Sequence, residues 1–125
     1  MFKKGTMKQE GIDITIRNNP GHVLAPDDWS KVMGVRFGKV TPGEYTEYYK
    51  GLLKRRWDSR RKEIIDLATE GMTRDIRLKC YCPTSARHCH AHTAARFLNG
   101  IVDKMLQKVS GTHLGTDNGE QEAQR

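Results

Sequence analysis

Residues 80–92 read CYCPTSARHCHAH and hold all three cysteines of the chain and three of its five histidines. Thiolate sulfur and imidazole nitrogen are the donors that zinc favours. Cys80, Cys82 and Cys89, with one of His88, His90 or His92, form a four-ligand set of that kind. The spacing imposes conditions. Cys-x-Cys departs from the usual Cys-x2-Cys knuckle, and alternate residues on a straight strand lie roughly 6.5–7 Å apart, so a strand supplying both sulfurs has to bend. His90 and His92 fall about 200° apart on a helix, so both reach one ion only if the first stands outside it.

The same residues suit a thiol and anion pocket without metal. Backbone N–H groups at a helix start near Cys89 and His90 offer a seat for phosphate or carboxylate, and their field lowers the pKa of a neighbouring thiol. Cys89, with His90 and Cys82 beside it, is then the candidate catalytic group, and Arg87 the bidentate anion contact. CPTSAR, Cys82 to Arg87, has the Cys-to-Arg separation of a rhodanese-type sulfur-transfer loop but lacks its glycine and second arginine. It is one residue too short for a cysteine-phosphatase loop. The H-x-E and P-C-x-x-C pair of zinc deaminases is absent from the sequence. The plain alternative is packing: Cys is among the most buried residue types, and Cys80 fills a core as readily as it binds a ligand.

The flanking segments must position these groups. IDITI, Ile12 to Ile16, alternates and is β-branched, which predicts a strand ended by the turn residues NNPG. A short helix is expected with Pro26 in its first turn and Asp27 and Asp28 near the positive end of its dipole, stopping at Gly34, with Val35–Val40 as a short strand or ordered loop. Thr41, Pro42 and Glu44 spell a capping box, behind which Tyr45, Tyr48, Tyr49, Leu52 and Leu53 make one apolar helical face. A further helix is expected from about Asp58 to Glu70 with Gly71 as its cap, and Trp57 at the junction. Asp75–Cys82 reads as a second strand with Ile76, Leu78, Cys80 and Cys82 on one face. From about Cys89 a long helix follows, striped by Ala91, Ala94, Ala95, Leu98, Ile101, Val102, Met105 and Val109. Strands separated by helices predict an α/β fold: a small Rossmann-like layered domain with a short, mostly parallel sheet and a long C-terminal helix, spanning 1–110. Residues 111–125 have almost nothing to bury and are expected to form a disordered polar tail. In such folds ligands sit beyond the carboxyl ends of the strands, where Cys80 to His90 fall.

Charge points to anionic partners. The chain of 125 residues has a formal net charge of +7. The tail from Gly111 holds Asp117, Glu120 and Glu122 against Arg125 alone, a net −2 that leaves +9 on residues 1–110. KRRWDSRRK, Lys54 to Lys62, contains six basic residues and one acid. Such a run is either a solvated helix face or a contact surface for nucleic acid, with Arg55, Arg56, Arg60 and Arg61 as the contacting groups. No apolar run is long enough to span a bilayer, and the start MFKKGTMKQEGIDITI has no apolar stretch behind its lysines, so a cytoplasmic, non-membrane protein is expected.

LKCYCPTSARHCHAHTAARFL resembles the signature segment of the small uncharacterised YeaO-like proteins and their phage-borne relatives. In those, a hydrophobic strand ends in Cys, often Cys-x-Cys, before a short loop and a Cys-His pair that opens a helix. Cys80, Cys82, Cys89 and His90 match, and the similarity extends weakly to LAPDDW and EYTEYYKGLL. The arginine often found after the Cys-His pair is Ala91 here. The resemblance implies a compact Rossmann-like domain with its pocket at Cys80, Cys89 and His90, in host cytoplasm if phage-encoded, and no established reaction. The reading that follows is a Cys/His centre, with zinc as possible cofactor, that binds or acts on a nucleotide-like or nucleic-acid anion. The alternatives are a basic nucleic-acid or protein-binding adaptor with structural cysteines, and a rhodanese-like thiol enzyme.

Overall fold

A computed structural model describes residues 1–81 and 89–114, with side chains described as far as Lys108. Its elements run β1 (Phe2–Thr6), β2 (Ile12–Asp13), α1 (Trp29–Arg36), α2 (Pro42–Ser59), α3 (Arg61–Thr73), β3 (Ile76–Cys80) and α4 (His90–Leu114). The expected α/β class holds: the three strands form one parallel sheet in the order β1-β3-β2, and a 25-residue helix ends the described chain. That helix takes in residues 111–114. The rest of the expected tail, 115–125, lies outside the described residues, as do Cys82, Arg87 and His88.

β3 is central because its pattern suits burial. Ile76, Leu78 and Cys80 are buried and alternate with the half-exposed Arg77 and Lys79. α4 packs against β1, β3, α2 and α3, and its Ala91, Ala94, Ala95, Leu98 and Val102 join the core. The link between β1 and β2 passes beside Arg77. A Cβ on Gly11 would collide with the Arg77 carbonyl, and one on Gly5 would press on its side chain.

β1 was not expected, and FKKGT has no apolar alternation that would mark it. It is held instead from afar. Phe2 N–H donates to Asn99 Oδ1 (2.7 Å), while Asn99 Nδ2 donates to the Phe2 carbonyl (2.8 Å). The terminal ammonium of Met1 donates to the carbonyls of Gly71 (2.5 Å) and Arg74 (3.0 Å). Asn99 thus satisfies backbone groups on the open edge of the sheet, where unpaired strands otherwise invite association.

Several boundaries differ from expectation. The strand at 12–16 is cut to two residues because Asp13 Oδ1 accepts from both Thr15 N–H (2.9 Å) and Thr15 Oγ1 (2.8 Å), turning the chain away from β3. Asp28 is the N-cap of α1, accepting from Ser30 and Lys31, so Pro26 and Asp27 precede the helix. α1 continues through Gly34 to Arg36, and Gly38, at φ 76°, is the left-handed residue that follows its end; no strand forms at 35–40. α2 runs on through Trp57 to Ser59, and Gly71 lies inside α3 rather than capping it. The capping box of α2 forms as expected, with Glu44 N–H donating to Thr41 Oγ1 (3.1 Å) and Thr41 N–H to Glu44 Oε1 (2.8 Å). No helix among the described residues is long and apolar enough to cross a membrane.

Gly71 is a matter of clearance. A Cβ there would drive into the Phe2 ring. Ala normally favours a helix interior by about 1 kcal/mol over Gly, but here overpacking should reverse the sign. Gly71→Ala is expected to destabilise by about 1–3 kcal/mol in urea denaturation, and adding Phe2→Leu should recover part of the loss.

His22 gives a pH dependence. Leu24 N–H donates to its Nδ1 (3.0 Å), which requires a lone pair there. Burial, then the charges of nearby groups including Arg60, hold its pKa below the ordinary value. The unfolded chain therefore binds the proton more readily, so this contribution is complete above about pH 6.5 and declines as pH falls below it. The denaturation midpoint should drop from pH 7 to 5, and His22→Ala should flatten that segment.

Candidate functional site

The carboxyl end of β3 meets the start of α4. Cys80, the last residue of β3, and Cys89, immediately before α4, are both buried, and their Sγ atoms lie 2.8 Å apart. Strand polarity explains the meeting: a parallel strand delivers its carboxyl end to the sheet edge where the next helix begins. The Cys89 carbonyl accepts from His92 N–H (3.0 Å), in the first turn of α4.

His90 follows and turns inward. The residue is 7% exposed, and Nε2 lies 2.9 Å from the Ile14 carbonyl. A carbonyl only accepts, so the ring proton sits on Nε2. Nδ1 is then the acceptor and faces the Tyr45 hydroxyl at 3.4 Å, a long contact. The Tyr49 ring stands edge-on to His90 at 5.3 Å, and its hydroxyl donates to the Leu24 carbonyl (2.5 Å). Burial, then Tyr45, pushes the Tyr49 phenol well above its ordinary pKa. Tyr48 donates to Asp27 Oδ1 (2.6 Å), and burial followed by that bond raises its pKa to about 12. Tyr45 and Tyr49 are therefore buried supports of His90, while Tyr48 is partly buried and holds Asp27.

Cys80 and Cys89 are thus brought into contact, while the His90 ring turns to Ile14 and Tyr45. Among the described residues, no three His, Cys, Asp or Glu side chains converge as a metal site would require. Cys82, Arg87 and the optional ligand His88 lie outside the described residues. His92 points elsewhere: it lines a groove between α2 and α4, and its Nε2 is buried with no hydrogen-bond partner among the described residues.

The basic run is dispersed. Arg56 donates to the carbonyls of His22 (3.0 Å) and Val23 (2.8 Å), pinning the 22–25 segment. Arg60 forms a two-bonded pair with Glu63, both contacts 2.7 Å. The Arg61 guanidinium lies 4.7 Å from the Trp57 ring centroid, over its face, and Arg55 stands 3.8 Å from Asp27. A different set of cations gathers around the groove: Lys50 and Lys54 from α2, and Arg96, Lys104 and Lys108 from α4. Their four- and eight-residue spacings were visible in the sequence, but nothing local showed that the two helices would face each other.

No family model, no curated protein and no solved structure matches the chain.

Removing the His90 donor leaves the buried Ile14 carbonyl without it. His90→Phe should cost about 1–3 kcal/mol of stability, and Tyr45→Phe less, about 0.5–1.5 kcal/mol, since its contact is long. A Tyr45→Phe loss equal to that of His90→Phe in thermal denaturation would contradict the lesser weight given to the Tyr45 contact.

Proposed function

We propose that the junction of β3 and α4 is the working centre of the protein: a thiol site at which Cys80 and Cys89, joined by Cys82, hold zinc beside a bound phosphate-bearing anion. The 2.8 Å approach of the two sulfurs is the observation that supports this reading most directly. Their burial favours a ligand role over a nucleophile's, because a thiol at 0–2% exposure is not presented to a substrate. Two thiolates on one tetrahedral zinc need roughly 3.8 Å between sulfurs, given Zn–S bonds of about 2.3 Å, so binding would spread the pair by about 1 Å. His90 does not fit as a ligand, since its nitrogens face Ile14 and Tyr45. Its role in this proposal is to orient the first turn of α4, while Arg87 and the N–H groups at the helix start would meet a nucleotide-like or nucleic-acid anion. Zinc closed by four protein ligands is structural; zinc with one open position polarises a bound group or activates water. The kinship with YeaO-like proteins belongs to the same proposal, supported by the contact of Cys80 with Cys89 at the point where His90 opens α4.

Elemental analysis of protein purified without a histidine tag tests it. About one equivalent of zinc is expected, lost in Cys80→Ser and Cys89→Ser and kept in His90→Ala, with chelator lowering the melting temperature of the unmutated protein and of His90→Ala but not of the two serine variants. Less than about a tenth of an equivalent discards the metal.

A further inference from the structure

From the groove between α2 and α4 we infer a second binding surface, independent of the thiol centre, that takes an acidic amphipathic helix of a partner protein. The groove encloses about 1150 Å³. Its floor and walls include Leu53, Trp57, Phe97, Ile101 and Met105, of which the last four pack on the core while remaining only partly buried. Phe97, Ile101 and Met105 recur every four residues and form a second apolar stripe on α4 beside the one that enters the core. The described lining residues include no carboxylate, whereas cations rise on both sides of the apolar strip, from α2 and from α4. From Arg96 to Lys108 is twelve residues, roughly 18 Å of helix. His92 adds a buried nitrogen without a hydrogen-bond partner among the described residues.

The arrangement of charge selects the occupant. An amphipathic helix with a non-polar face bordered on both sides by Glu and Asp matches an apolar strip with two basic rims. A single nucleic-acid strand has one phosphate backbone and would leave one rim unmatched. It would also need open aromatic faces, and Arg61 already covers the Trp57 ring. A second copy of the same groove would oppose like charges. Residues 115–125 of this chain carry acids, but Ala123 is their only apolar residue and cannot fill the floor.

The test uses the full chain with Trp29, which is 49% exposed, replaced by Phe, so that Trp57 is the sole tryptophan. The probe is a synthetic peptide of about 18 residues with Leu at helical i, i+3, i+4, i+7 spacing and Glu flanking that stripe. Saturable binding with a dissociation constant on the order of 10 µM and a blue-shifted Trp57 emission are expected. A peptide of the same composition with scrambled order should bind at least about tenfold more weakly. So should the unscrambled peptide to the Lys54→Glu, Arg96→Glu, Lys104→Glu variant, provided its circular dichroism is unchanged. No saturation, equal affinity for the scrambled peptide, or tighter binding of a short oligothymidine than of the peptide would each overturn the inference. Zinc content does not enter this measurement, so its outcome is separate from that of the thiol proposal.

Discussion

One hydrogen bond joins the parts of this fold that no local contact could join. His90 Nε2 donates to the carbonyl of Ile14, 76 residues earlier in the chain. Ile14 follows the two paired residues of β2, and its own N–H donates to the Lys79 carbonyl on β3 (3.2 Å). The first turn of α4, the end of β2 and the end of β3 are therefore held at one point. Because the Ile14 carbonyl is buried there, leaving it without a donor is costly. The bond also fixes how α4 enters: strand polarity brings Cys89 to Cys80, and the inward turn of His90 holds the first turn of α4 in that place.

The basic surface is organised by what neutralises it. Arg56 and Arg60 are spent on carbonyls and on Glu63, so the densest run of positive charge in the sequence serves in part as internal support. Exposed ion pairs such as Arg55 with Asp27 contribute little stability, but they do reduce the field that a distant anion meets. Lys54, Arg96 and Lys104, by contrast, border apolar surface with no acid among the described residues of that lining. A less conspicuous set of cations is thereby left facing one hollow.

Features decided within a few residues were legible in the sequence. The capping box of α2, the alternation of Ile76, Leu78 and Cys80, and the Ala91, Ala94, Ala95, Leu98 and Val102 part of the α4 stripe emerged where their patterns placed them, while Ile101 and Met105 are only partly buried and line the groove. What failed to read was decided at a distance. β1 has one apolar anchor and depends on Asn99, 97 residues away. Gly34 and Gly71 looked like helix ends because glycine favours them, yet both lie where a neighbouring side chain, Val40 or Phe2, leaves no room for a Cβ. At the candidate site, the nearness of Cys80 and Cys89 followed from strand polarity. The direction of His90 did not, because its partner carbonyl belongs to a segment whose strand ends early.

The two imidazoles at the start of α4 show how one helix divides its work. His90 and His92 lie about 200° apart around the axis, so fixing the first in the core turns the second away from it. His92 accordingly lines the groove, in the same wall as Arg96 and Phe97 further along the helix. Twenty-five residues of continuous helix then carry that orientation onward without an intervening loop. The rotation that places Cys89 against Cys80 is the rotation that sets Phe97, Ile101 and Met105 opposite Leu53 and Trp57. A change that turned α4 to loosen the sulfur pair would also misalign the apolar strip, so the thiol centre and the groove share a geometric dependence although they are chemically separate.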